Sequence, residues 1–416
     1  MVNKLSGGKL NHGRITVDNL QRLLGFAALI GASLLGWTAA GNAAGYVETD
    51  LVVNKQVNGV PTLTDANGIV HVAKFFDPNL VNPWGVGESA TSPFWVADNG
   101  SGQSTLYNTA GTPLALVVSI PTPGDPLGTS GAPTGLVFNT STDPNEFKIS
   151  GFTSANVPTS ARAVFLFATE DGTILGWNPG VNPKGFNPAK AGTYAIIAVD
   201  NSAKPNAANG AVYKGLAIAK DSSSGETFLY ATNFRGGTVD VFNSKFQPPP
   251  TGFAADAFTD PRLPRGYAPF NVVLIAGELF VTYAVQNEEK KDDVAGQSHG
   301  IVDTFDIRGG NLMRFAQHGQ LNSPWGVTLA PAGFGQLGGK IWIGNFGNGH
   351  INAFEPSTGE FLDKVRSPKG QAVVIDGLWT IRFGNGGNGG RLDTLYFTAG
   401  PNDESDGLFG SLAPSQ

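Results

Sequence analysis

The sequence predicts an all-β protein, a six-bladed β-propeller with four-stranded blades. Three observations lead there. Glycine is very frequent, 57 of 416 residues, and charged residues make up only 14%, a composition suited to tight turns between short strands. Apolar residues make up 41%, enough for a sizeable core. Four kinds of strand then recur in a fixed order, which marks a repeat architecture.

The first kind is a turn residue, often glycine, followed by aliphatics: PWGVG at 83–87, PTGLVF at 133–138, YKGLAIA at 213–219, PFNVVLI at 269–275, PWGVTLA at 324–330 and DGLWTIRF at 376–383. The second is a nearly continuous apolar run, as in PFWVADN at 93–99, AVFLFATED at 163–171, TFLYATNF at 227–234 and KIWIGNF at 340–346. Such runs suit strands buried on both faces. The third kind ends in an aromatic and a polar turn residue, such as TLYN at 105–108 or TVDVFN at 238–243. The fourth is weaker and more polar, including PLALVVSI at 113–120, GFAADAF at 252–258 and EFLDKVR at 360–366.

The sixth round lacks a fourth strand. YVETDLVV at 46–53 precedes the first round and has nothing else to pair with, so it is expected to close the ring as the outer strand of blade six. Residues 45–416 are therefore expected to form one propeller domain. RFGNGGNGG at 382–390 lacks the regular aspartates of a calcium-binding nonapeptide array and reads as a loop between first and second strands.

Residues 1–44 read as an export signal. Lys4, Lys9, Arg14 and Arg22 precede the apolar run LLGFAALIGASLLGW at 23–37, which is short for a membrane span. Small residues follow, with cleavage expected near 40–44. The mature chain is expected to be periplasmic or secreted, without an integral membrane segment. An uncleaved anchor is the other reading of the same run. The net charge is −6 and no basic block appears in the body, which argues against nucleic acid as a partner. Cysteine is absent, which removes disulfides, thiolate metal sites and cysteine nucleophiles.

The strings NPWGV…PFWVADNGSGQSTLYNTAG, DDVAGQSHGIVDTFD and GLWTIRFGNGGNGG…TLYFTAGPNDESDGLFG resemble an uncharacterised family of exported bacterial propeller proteins. Some members of that family carry a PEP-CTERM sorting tail, whereas this sequence ends at APSQ. The family brings no activity. More loosely, strand ends such as ATNF and VADN are similar to those of NHL-repeat and lactonase-like six-bladed propellers.

In a propeller, the loops entering first strands and those joining second to third strands share one face, at the mouth of the central channel. Aligned at the strand end, these loops bring Asn99, Asn233 and Asn345 into one column, beside Asp98, Glu170 and Arg235. Asp292, Asp293, His299, Asp403 and Glu404 reach the same face, the first three from the charged loop NEEKKDDVAGQSHG at 287–300. Trp84 and Trp325 start first strands there and either pack between blades or offer a stacking surface. Oxygen-rich side chains suit a hard cation such as calcium, with Asp98, Asn233 and Asn345 as its ligands, or a polyhydroxylated molecule. Asn and Asp before glycine are equally ordinary hairpin residues. The expected function is binding or scaffolding of an extracytoplasmic ligand (protein, glycan or small molecule) on this face. The alternative is cation-assisted lactonase, hydrolase or lyase chemistry with Asp98 or Glu170 as base. No HExxH, GxSxG or Walker motif appears, and His71, His299, His318 and His350 are scattered.

Overall fold

Among the described residues, apolar strands and glycine turns build six main sheets on one plan, antiparallel except for one short strand, together with two small excursion sheets. The computed structural model describes residues 45–249 and 252–415. The predicted export signal therefore lies outside the described residues. The fold is all-β, with short 3-10 turns and no helix among the described residues long and apolar enough to cross a membrane.

Sheet one runs Pro83–Gly87, Phe94–Asp98, Gln103–Tyr107 and Val118–Ser119. Sheet two runs Pro133–Phe138, Phe165–Thr169, Thr173–Trp177 and Ile196–Asp200. Sheet three has three strands, Tyr213–Lys220, Thr227–Asn233 and Thr238–Phe242. Sheets four and five have four each, beginning at Tyr267–Ile275 and at Pro324–Leu329. Sheet six orders Leu378–Phe383, Leu395–Ala399, Leu408–Pro414 and then Tyr46–Val53, which pairs antiparallel with Leu408–Pro414. A short fifth strand, Phe75–Phe76, pairs parallel with the end of Tyr46–Val53.

Some expected elements differ. GFAADAF at 252–258 forms turns rather than the outer strand of sheet three. Its Phe253 and Phe258 instead pack against Phe228 and Tyr230, so the segment caps the sheet through aromatic contacts. PLALVVSI contributes only Val118–Ser119 to the ladder. Two excursions carry strands of their own. One is the hairpin Lys148–Phe152 and Pro158–Arg162; the other is the small sheet Gln56–Val57, Val60–Thr64 and Val70–Val72. RFGNGGNGG does connect first and second strands of sheet six, and Asn385 within it donates to Ser89 O (2.7 Å) and Ser92 O (3.0 Å) of sheet one.

The first strands approach one another closely at one recurring position. A Cβ on Gly85 would lie 2.4 Å from Thr134 O, on Gly135 2.4 Å from Leu216 N, and on Gly326 2.6 Å from Trp379 O. Sheet three approaches sheet four at Gly215, where a Cβ would meet the Asn271 Cα at 2.7 Å. Sheet four breaks the glycine pattern with Asn271, whose Nδ2 donates to Trp325 O (2.8 Å) in sheet five. Sheet six breaks it with Thr380, whose hydroxyl donates to Trp84 O (2.7 Å) in sheet one. Each first strand thus meets the next, and the sixth meets the first.

The core follows the same order. One apolar cluster joins sheets one and two around Trp95, Phe165, Phe167 and Trp177. Others lie between two and three, three and four, four and five, five and six, and six and one. A seventh gathers Trp84, Phe234, Phe270, Trp325 and Trp379, drawn from sheets one, three, four, five and six. Burial on both faces explains why the inner strands read as apolar runs rather than alternations.

Candidate functional site

Strand register decides which side chains reach this seventh cluster. Pro83 pairs with Asp98, Pro133 with Thr169, Tyr213 with Asn233 and Pro324 with Asn345. Asp98, Asn233 and Asn345 therefore occupy equivalent positions. The next residues, Asn99, Glu170, Phe234 and Phe346, form a second column on the opposite side, because successive strand residues alternate faces. The sequence alignment of Asn99 with Asn233 and Asn345 is thus displaced by one residue. Asp98 and Asn99 both look like a strand end, and pairing selects Asp98.

The first column is tied into its own turns, while Asp98 Oδ1 and Asn345 Oδ1 stay buried without a hydrogen-bond partner. Asp98 is fully buried, and its Oδ2 accepts from the Thr105 amide (2.9 Å) and hydroxyl (2.7 Å). Burial pushes its carboxyl well above the ordinary range. Asn233 Oδ1 accepts from Val212 N (3.3 Å) and Gly236 N (3.0 Å), holding its own turn. Asn345 Nδ2 donates to Gln320 O (2.7 Å) and Asn348 Oδ1 (3.1 Å). These three residues share no hydrogen-bond partner. Arg235 donates to Gly210 O (3.0 Å), and the Nδ1 of His299 lies 2.9 Å from Val294 O within its own loop.

The second column faces an aromatic floor. A bulge in each first strand turns Trp84, Lys214, Phe270, Trp325 and Trp379 to the same side. Trp84 stacks on Trp379 at 3.5 Å between ring centres, Phe346 stacks on Trp379 at 3.9 Å, and Trp325 meets Trp84 edge-on at 6.1 Å. Trp84 and Trp325 are only 1% and 4% exposed, so they pack as a floor rather than present a stacking surface.

One cation sits in this floor. Lys214 is fully buried, with its ammonium 4.8 Å from the centre of the Trp84 ring and 5.9 Å from that of Phe234. It donates to Glu170 Oε1 and lies 3.4 Å from Asp292 Oδ1. Glu170 Oε2 accepts from Asn99 Nδ2 (3.0 Å), and Asn82 Nδ2 donates to Asn99 Oδ1 (3.3 Å) and to Glu404 Oε2 (2.6 Å). Asn82 Oδ1 accepts from the Trp379 indole (3.0 Å). The result is one connected polar network resting on stacked rings.

Its charge states follow from position. Burial favours the neutral forms of Glu170 and Lys214, but each holds the other charged. The Glu170 carboxyl falls below its usual range, and the Lys214 ammonium rises above its own with help from Asp292. Glu404 has no such partner in contact; burial raises its carboxyl to about 7, with Glu170 adding to the rise. Burial also raises Asp293, and its Oδ2 has no hydrogen-bond partner. An ionised, enclosed Lys214 is unsuited to nucleophilic attack. Carboxylates and amides around it can instead accept hydrogen bonds from a ligand.

Of the residues expected from sequence on this face, Asn99, Glu170, Asp292, Glu404, Trp84 and Trp325 meet here, and Asp293 lies alongside. Lys214, Asn82, Trp379 and Phe346 were not anticipated. A signal existed for Lys214: YKGLAIA places lysine where PWGVG and PWGVTLA place tryptophan, so a charge occupies an otherwise apolar slot.

No protein-family model matches the chain. Two uncharacterized proteins of Acanthamoeba polyphaga mimivirus are similar to it. One is 28% identical over 82% of this chain and 76% of its own length, the other 29% identical over 83% of each. These relatives are viral, and the bacterial origin suggested by the sequence resemblance is not carried by them. Among solved structures, the chain is similar to virginiamycin B lyase of Staphylococcus aureus (TM-score 0.44, 12% identity, 88% of this chain and 99% of that one). It is also similar to the soluble aldose sugar dehydrogenase of Escherichia coli (TM-score 0.48, 10% identity, 81% and 97%). Neither likeness brings an activity to this chain.

Proposed function

We propose that the chain is a six-bladed β-propeller that binds a small ligand, rich in hydrogen-bond donors, at the axial mouth above Lys214 and Glu170. The six inter-sheet cores and the contact between the sixth and first strands support the propeller. One observation carries the binding reading: Asn99, Glu170, Lys214, Asp292 and Glu404 come from five of the six sheets or their loops and join in one network. Binding sites commonly combine an apolar base with a few convergent polar groups. The carboxylates of this network, Glu170, Asp292 and Glu404, supply acceptors, which suits a polyol, an amino sugar or a polyamine. Calcium at this mouth would have to draw Glu170 away from Lys214. Export to the periplasm or medium remains part of the proposal, supported by the basic and apolar N-terminal segment.

A second reading has one observation in its favour. A carboxyl raised to about 7, as at Glu404, is poised for general acid–base work in a hydrolase or lyase.

The stacked tryptophans provide the test. Intrinsic fluorescence is titrated with glucosamine, sorbitol, spermidine and calcium. A saturable change with a donor-rich organic ligand, weakened at least about tenfold in Asn99→Ala and Glu404→Gln, is expected from the loss of network acceptors. Binding that survives both substitutions, or no saturable change with any of the four, would overturn the proposal. Turnover of lactone or ester substrates that is abolished in Glu404→Gln would establish the second reading.

A further inference from the structure

Outside the axial network, the outer strand of sheet six carries a different cluster. Glu48 and Asp50 are two residues apart on Tyr46–Val53 and so project to the same side. The excursion Gln56–Val72 folds back and lays His71 against them. The His71 Nδ1 lies 3.2 Å from Asp50 Oδ1 and 3.9 Å from Glu48 Oε1. On the other side of the ring, Nε2 lies 3.5 Å from Asp65 Oδ2.

The surroundings leave this cluster incomplete. The side chains of His71 and Asp65 are 5% and 0% exposed. Even so, His71 Nε2, Asp65 Oδ2 and Glu48 Oε1 are buried without a hydrogen-bond partner. Three carboxylates face one imidazole, and their ion-pair partner among the described residues is His71 alone. Buried charge of this kind requires compensation.

We infer that Glu48, Asp50 and His71 bind a divalent transition-metal ion, zinc foremost. One candidate ligand atom from each lies within 4.8 Å of the others. A tetrahedral zinc with bonds of about 2.1 Å sets its ligand atoms roughly 3.4 Å apart, so a small inward movement of Glu48 completes the set. An imidazole beside two carboxylates favours zinc and its neighbours over calcium or magnesium. Asp65 then accepts from the Nε2–H and fixes the ring, as carboxylates behind metal-bound histidines commonly do. The ion would pin the excursion at 56–72 to the strand that pairs with Leu408–Pro414.

The full chain, stripped with chelator, is titrated with zinc by calorimetry and with cobalt by visible absorption. One ion per chain is expected, with at least about tenfold weaker binding in His71→Gln and in Glu48→Gln. Asp65→Asn should weaken binding about 10–100-fold at unchanged stoichiometry. Glu170→Gln at the axial mouth should leave zinc affinity unaltered. If His71→Gln does not fold, the nearly isosteric Glu48→Gln decides. Absence of saturable zinc binding, or one-to-one binding of undiminished affinity in the folded variants, overturns the site and leaves His71 as an imidazolium that neutralises its carboxylates.

Discussion

The ammonium of Lys214 lies 4.8 Å from the centre of the Trp84 ring while it donates to Oε1 of Glu170. Sheet three thereby contributes a charge to a floor otherwise built of rings. Both ends of the ion pair are out of solvent, with side chains 2% and 10% exposed. Removing one partner of such a pair strands the other. Lys214→Met is expected to cost about 3–5 kcal/mol in chemical denaturation, whereas a combined Lys214→Met and Glu170→Leu variant recovers most of that loss. A single variant within about 1 kcal/mol of wild type would show that the pair is solvated and not part of a closed floor.

Much of this architecture was legible in the sequence. Strands buried on both faces must be apolar throughout, so six rounds of inner strands stood out, and the pairing of Tyr46–Val53 with Leu408–Pro414 followed from a missing partner. The outer strands were less legible: 252–258 caps sheet three through Phe253 and Phe258 without joining its ladder. The site was half legible. Asn99 and Glu170 were found because they end second strands. Asp98, Asn233 and Asn345 fall in a separate column from Asn99 and Glu170, because adjacent polar residues at a strand end differ only in which face they take, and cross-strand pairing sets that. His71 looked isolated because it reaches Glu48 and Asp50 through an excursion with no counterpart in the repeat.

The carboxyl of Glu404 gives the fold a pH dependence of defined sign. Its folded value of about 7 stands above the ordinary 4.5. Between those values the folded chain binds more protons than the unfolded one, so stability falls as pH rises from about 5 to 7. Glu404→Gln removes this contribution. Denaturation midpoints measured across that range should therefore decline less steeply in the variant than in wild type. Equal slopes would show that Glu404 is solvated.

The close approach of first strands predicts a column of intolerant glycines. A Cβ on Gly135 would fall 2.4 Å from Leu216 N, and one on Gly326 2.6 Å from Trp379 O, both fixed backbone atoms. Gly135→Ala and Gly326→Ala should each cost about 1–3 kcal/mol by overpacking. Gly333 supplies the comparison, because a Cβ added there would meet nothing within 4 Å. Gly333→Ala should change stability by less than about 0.5 kcal/mol. Equal tolerance at all three positions would contradict the inter-sheet contacts described above.

The first described strand is stitched to two sheets at once. Its backbone pairs with Leu408–Pro414, while the Tyr46 hydroxyl donates to Phe334 O (3.0 Å) and accepts from Leu337 N (3.1 Å) in the loop of sheet five. The Tyr46 ring also meets Trp342 edge-on at 5.1 Å. Tyr46→Phe keeps the ring and removes the hydroxyl, leaving a buried carbonyl and an amide unpaired, at an expected cost of about 1–3 kcal/mol. Deleting residues 46–53 goes further. It uncovers the edge of Leu408–Pro414 and withdraws Leu51, Val52 and Val53 from two inter-sheet cores. An unpaired edge of that length invites pairing with a second chain. Size-exclusion chromatography of the deletion should show association or failure to fold, and a stable monomer would mean that sheet six is complete without its N-terminal strand.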